Sequence, residues 1–349
     1  MKPWSFILGL GALGACSSET PAEAPGGGLL DAGLDAEAST TEAGGDAAGD
    51  AGSDSAPPFD GPETLADTGL YADIGSKTIA ADVIAFGVRY PLWSDGAEKA
   101  RFFRLPPGEV IDTSNMDFWK FPLGTRAWKE FSLGGKRLET RYLEKRGSGP
   151  EGWLEISYVW DAGETNALPM VLGQPNVAGT SHDVPSSQDC TQCHNGAGDV
   201  LIGVSAIQLS AGGTLSEWTA AGRFSIAPPT DIDVPGTGNV QDALGYLHAQ
   251  CGHCHNDVHF LASKRLMRLR LPSAPLSPGQ TPTYLTTIGG AMSHSIAGST
   301  IAVVPGAPDQ SQLFLRMTKR DFDAMPPLGT KVVDPEGLAT ISTWISSLQ

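Results

Sequence analysis

Apolar and polar positions along the chain follow three different periods, and the period changes with position. From Trp153 to Trp160, Leu154, Ile156, Tyr158 and Trp160 recur at every second residue, the period of a half-buried strand. Two more strand-like runs, Ala127 to Leu133 and Lys136 to Lys145, flank Gly134-Gly135, and that spacing predicts a two-residue hairpin turn. Pro91, Pro106-Pro107 and Pro122 cut the preceding stretch into short pieces. Residues 63–175 are therefore expected to form a β-rich domain. Trp93, Trp119, Trp128, Trp153 and Trp160 all fall inside it. They read first as core aromatics and second as a lid or docking face for a neighbouring site.

Helical spacing returns near the end of the chain. Val240, Ala243, Leu244 and Leu247 mark one helix face. Asp334 is placed to cap a last helix with Pro335 at its first position, and Leu338, Ile341, Ile345 and Leu348 then share a face beside Trp344. Met317 reads as the core side of a short helix, and Met267, among arginines, as strand core. Residues 240–349 are thus expected to be mainly α-helical. Between the two regions, 176–239 loses its period: Gly179 to Ser187 has no helical spacing, Val200 to Val204 is an apolar run, and Pro228 to Gly238 reads as a linker.

Residues 17–62 have no period at all. They are rich in Ala, Gly, Asp, Ser and Thr, with ten acidic residues and no Lys or Arg. Such a segment cannot offset its ordering entropy and is expected to be a disordered acidic tether. Residues 63–349 hold 29 acidic and 22 basic residues, a balance that argues against nucleic acid as a partner. Ahead of the tether, residues 1–16 have Lys2 and then a short apolar run from Trp4 to Leu13, too short to span a bilayer, as in a secretory signal.

The five cysteines change the picture most. Four lie in Cys190-Thr191-Gln192-Cys193-His194 and Cys251-Gly252-His253-Cys254-His255. Cys-x-x-Cys-His is the attachment pattern of a c-type haem: two thiols bond to the porphyrin edge and the next imidazole binds iron. A zinc ribbon separates its knuckles by roughly 15 to 20 residues, whereas 57 lie between Cys193 and Cys251. A redox pair or disulfide gives no reason for a histidine after both pairs. Two c-type haems are expected, attached at Cys190, Cys193, Cys251 and Cys254, with His194 and His255 as proximal ligands.

The fifth cysteine, Cys16, closes Leu13-Gly14-Ala15-Cys16, which resembles a bacterial lipobox. The resemblance implies lipidation of Cys16 and stable anchoring. Ser17 and Ser18 follow it, and by the same resemblance the outer membrane is the expected location, with the protein facing the periplasm or the surface.

Residues 63–349 resemble a family of largely uncharacterised bacterial di-haem c-type cytochromes. The matching stretches are Pro91-Leu92-Trp93-Ser94-Asp95-Gly96-Ala97, Tyr158-Val159-Trp160, Val184-Pro185-Ser186, Gly245-Tyr246-Leu247-His248-Ala249 and Met325-Pro326-Pro327. Residues 240–349 also have the element order of a class I cytochrome c, where a methionine just before the last helix supplies the sixth ligand. The expected fold is α+β multidomain: the β-rich domain, a c-type haem-binding segment, and the class I cytochrome c-like domain. Met325 is the expected sixth ligand of the second haem. For the first haem His182, eight residues before Cys190, leads, followed by Met170 and His294, and a vacant position stays open. His253 sits inside its own motif, and His248 reads as a packing or surface residue.

These expectations lead to single-electron transfer with redox partner proteins. The alternative is a di-haem peroxidase or oxidase with an open first haem, for which Glu164, Asp183 and Asp199 are the nearby acids. A weaker third possibility gives the β domain the active part, as a docking site that relays electrons through the haems.

Overall fold

The computed structural model describes residues 59–196 and 199–349, so Cys16 and nearly all of the expected tether lie outside it. The fold is mixed α and β, with a β-rich middle and several helices. A small hairpin, β1 (Tyr71–Asp73) and β2 (Thr78–Ile79), precedes a six-stranded antiparallel sheet. The sheet runs β3 (Ile84–Ala85), β4 (Glu98–Arg104), β5 (Arg126–Leu133), β6 (Lys136–Lys145), β7 (Trp153–Trp160) and β8 (Ala167–Pro169), neighbours in sequence being neighbours in space. Gly134 and Gly135 turn between β5 and β6 with φ of 58° and 79°, the left-handed values this turn requires.

Two faces follow from the pleat. On one, Trp128, Tyr142, Ile156 and Tyr158 are buried with Leu65 and Leu70 under the β1–β2 hairpin. The opposite face bears Phe103, Ala127 and Leu143, and they pack against Val200, Leu201 and Val204 and against Ile207, Leu215 and Trp218. Leu244 and Leu271 close the same cluster. A single core therefore crosses the boundaries expected near 175 and 239, and the linker expected at 228–238 adds the buried Ile232 and Val234 to it.

The segment after the sheet is more regular than its period suggested. Short helices α1 (Ser187–His194), α2 (Ala206–Leu209) and α3 (Thr214–Ala220) occupy it. Ser186 and Asp189 form a reciprocal capping box that starts α1, so the first Cys-x-x-Cys-His lies on a helix.

The last region has α4 (Asn239–Gln250), α5 (Pro282–Thr287), α6 (Gln312–Met317) and α7 (Pro335–Ser347). It is less helical than expected, because a hairpin, β9 (Ala291–Ile296) with β10 (Ser299–Ile301), interrupts it at Ala297-Gly298, both at positive φ. Met267 is buried as expected, though its backbone pairs in no strand. The Asp334 side chain accepts from the Gly337 amide and caps α7. Ile341, Trp344 and Ile345 of α7 are fully buried against Ala243 and Leu247 of α4, each such side chain contributing about 1.5–3 kcal/mol. Tyr246 fixes the crossing: its hydroxyl is 3.0 Å from Asp334 Oδ2, and its ring lies where a side chain on Gly337 would be. No described helix is long and apolar enough to cross a membrane.

Candidate functional site

The sheet face that joins the shared core also walls a cleft, partly open to solvent, of about 1520 Å³ with the open part included. Cys190, Cys193 and His194 of α1 line it from one side, and the apolar run Leu201, Ile202 and Val204 from another. His194 Nδ1 is 2.7 Å from the Val200 carbonyl oxygen. That bond assigns the ring proton to Nδ1 and leaves Nε2 with its lone pair free, the tautomer a metal ligand needs. Burial pulls the His194 pKa down to about 4, despite the opposing effect of the Val200 bond, so the imidazole is neutral. Burial likewise pushes the Cys190 thiol up to about 12.

A second cavity, about 600 Å³, opens where α4 ends. Cys251, His255 and Met325 all line it, with Met267, Met317 and Arg316 around them. Burial holds Cys251 up at about 12 and His255 down at about 4. The Met325 amide donates to the Arg316 carbonyl at 3.1 Å, which ties the Met325 loop to the end of α6. The expected pair, His255 and Met325, thus shares one cavity.

The two motifs touch. Ligand atoms of Cys193, His253 and Cys254 lie within 4.8 Å of one another, and the three could hold a metal ion. The side-chain amide of Asn256 donates to the Gly196 carbonyl at 2.7 Å and to the His253 carbonyl at 3.0 Å. His259 Nε2 is 3.1 Å from the Gln192 carbonyl oxygen. Cys254 therefore turns toward the first motif while Cys251 faces the second cavity.

His182, expected as sixth ligand of the first haem, lines neither cavity. It is buried with its Nε2 2.7 Å from Glu139 Oε1 and its ring beside Phe131, so an acid partner occupies the nitrogen. The fallbacks also lie elsewhere. Met170 packs on Leu138, Val177 and Val184, and His294 sits on exposed β9 with Nε2 2.6 Å from Arg316. His248 is buried, its Nδ1 accepting from the Leu271 amide at 3.0 Å. Among the acids near the motif in sequence, Glu164 pairs with Arg137 and Asp183 with Lys331, each through a polar contact of 2.7–2.9 Å. Asp199 is buried and accepts from the Phe121 amide, Lys145 and Trp153.

What does line the first cavity is a set of β-strand side chains: Arg101, Lys129, Arg141 and Glu155. Burial, reinforced by Cys193 nearby, raises Glu155 to about 7. Strand alternation alone could have placed these four on one face, but it could not say that the face was walled in rather than solvated. Trp93 was also underestimated as a core aromatic. With Gln250 and Pro326 it lines both cavities. Its amide donates to Gln250 Oε1 and its indole N–H to the Val332 carbonyl, each at 2.9 Å.

Comparison with protein-family models, with curated protein sequences and with solved structures finds no match for this chain.

Proposed function

We propose that the protein is a di-haem c-type cytochrome that carries single electrons in the cell envelope. One observation supports this above the others: each Cys-x-x-Cys-His sends its histidine into a separate cavity, while the two motifs abut. A single zinc ion at Cys193, His253 and Cys254 leaves His194 and His255 in two large cavities without purpose. Most of the donor set suits two iron porphyrins: neutral thiols at Cys190 and Cys251, neutral imidazoles, apolar walls, and cations at one side of the larger cavity, whereas Cys254, turned toward Gln192, lines neither cavity.

Bound haem iron supplies the chemistry by cycling between ferric and ferrous states. The chain's residues do the rest. Cys190 and Cys193 anchor one group, and Cys251 and Cys254 the other. His194, held by Val200, would present Nε2 to the first iron, and His255 and Met325, which line one cavity, would hold the second. Because the motifs abut, two groups attached at them would be neighbours, which would favour exchange of an electron between them. Redox partner proteins donate and accept at the surface, and a lipid on Cys16 holds the protein at the outer membrane, facing the periplasm or the exterior.

A second reading, a peroxidase or oxidase with an open first haem, is favoured by Glu155. A carboxyl poised near 7 on the wall of that cavity is suited to proton transfer. Two measurements decide. Intact mass of the mature protein should show two covalent haems, and unmodified thiols with bound zinc would overturn the proposal. The spectrum of the oxidised protein should be low-spin at both irons for a carrier, whereas a high-spin first haem favours the enzyme.

A further inference from the structure

Three cations meet on neighbouring strands at the wall of the first cavity. Arg101 of β4 lies directly opposite Lys129 of β5, and Lys129 lies directly opposite Arg141 of β6. All three side chains are on the cavity face. Like charges at directly opposed positions destabilise a sheet, so the row requires compensating negative charge.

The protein supplies little of it. Arg141 pairs with Glu139 at 2.7 Å, but the same carboxylate oxygen also meets His182. Arg101 has one long contact, to the Lys99 carbonyl at 3.5 Å, and no acidic partner among the described residues. Lys129 likewise has none, and its ammonium stands 5.0 Å from the centre of the Phe131 ring. Of the acids on the cavity wall, Asp189 is engaged by the Ser186 cap, and Glu155 makes no ion pair with any of the three cations. Arg101 without an acidic partner, and beside it Lys129, whose pKa burial and the neighbouring arginines lower well below the usual lysine range, form a site that a bound anion would stabilise.

We propose that Arg101 and Lys129, backed by Arg141, are the carboxylate cradle of the first cavity, receiving the two propionates of the porphyrin anchored at Cys190 and Cys193. The inference rests on the haem proposal and assigns to the sheet a role in holding the group. Arg101 offers a planar fork of N–H donors to one carboxylate, and Lys129 a point charge to the other. The thiols on α1 and the cations on β4 and β5 then grip one group from different walls of the cavity.

The test uses the full-length, haem-loaded protein with Arg101→Gln, Lys129→Met and Lys129→Arg, each checked by mass for two haems per chain. The readout is the midpoint potential of each haem as a function of pH. A propionate that loses its cation becomes a weaker acid, so the pH at which the first haem's potential begins to fall should rise by about one unit, tenfold in acidity, in Arg101→Gln and Lys129→Met. The second haem's profile should not move. Lys129→Arg keeps the charge and should keep the wild-type profile. Unchanged profiles in both neutral variants overturn the cradle alone. Conversion of one iron to high spin in Lys129→Arg also overturns it, because Lys129 would then be an axial ligand. Absence of covalent haem from the wild type overturns the cradle and the proposed function together. If Lys129→Met does not fold, Arg101→Gln and Lys129→Arg still decide.

Discussion

The His194 imidazole is bonded through Nδ1 to the carbonyl of Val200, six residues on, and the apolar run that Val200 begins forms a wall of the same cavity. Imidazole and wall are therefore held together by one hydrogen bond. His194→Gly should leave both thioethers in place, convert one iron to high spin, and be restored to low spin by added imidazole. It should also cost about 1–3 kcal/mol, since the buried Val200 carbonyl loses its partner. Optical spectra with and without imidazole, together with denaturant titration, measure both effects.

Met325 shares a cavity with His255, and no other residue of that loop brings a soft donor there. Met325→His should lower the potential of one haem only and abolish the weak charge-transfer band at the red edge of the oxidised spectrum, because a thioether favours ferrous iron more than an imidazole does. Met325→Ala should leave that iron high-spin. An Ala variant with the band intact would show that Met325 only packs.

Glu139 is fully buried between Arg141 and His182. Burial alone would raise its pKa, but Arg141 and the His182 bond outweigh that effect and hold it at about 2, below its ordinary 4.5. Its contribution is therefore complete above pH 4.5 and is lost as pH falls toward 2, on the order of 3 kcal/mol in all. Glu139→Gln should flatten this acid limb of a stability–pH curve and cost about 2–4 kcal/mol at neutral pH, by leaving the half-buried Arg141 unpaired. His182→Ala should lower stability by about 1–3 kcal/mol and leave the spin state of both irons unchanged.

Gly196, two residues after the first motif, packs directly against the second. A Cβ there would lie 1.9 Å from the His253 carbonyl oxygen and 2.6 Å from His259 Cδ2. Gly196→Ala must push the motifs apart and should cost about 2 kcal/mol or more. Gly87, where nothing lies within 4 Å of the added atom, should tolerate alanine within about 0.5 kcal/mol. The two denaturation midpoints make the comparison.

Cys16→Ser should move the protein from the membrane fraction to the soluble fraction of the envelope with both haems still attached. Continued sedimentation with membranes would exclude the lipid anchor.

Local signals in the sequence carried local structure well. Gly134-Gly135 specified a turn that needs two positive φ values, and Asp334-Pro335 specified a helix start, because in both cases the controlling chemistry lies within a few residues. The Cys-x-x-Cys-His spacing was likewise readable as a local pattern. Long-range facts were not. Alternation put Arg101, Lys129 and Arg141 on one face of three strands but is silent on what covers that face. Proximity in sequence favoured His182, yet Glu139, 43 residues earlier, takes its ring nitrogen. Ser186 and Asp189 were a readable capping box, hidden by the absence of apolar period in the eight residues of α1.

Trp93, Gln250 and Pro326 stand between the two cavities and belong to both. A partition of that kind offers a route for thermodynamic linkage between the two compartments. If loading or reducing one centre rearranges the partition, the free energy of the other centre changes, and reciprocity requires an equal effect in the opposite direction. With the proposed haems in both cavities, coupling through the partition would make the oxidation curve depart from the sum of two independent one-electron curves. Its departure from that sum measures how far an indole and a proline ring transmit a change of charge.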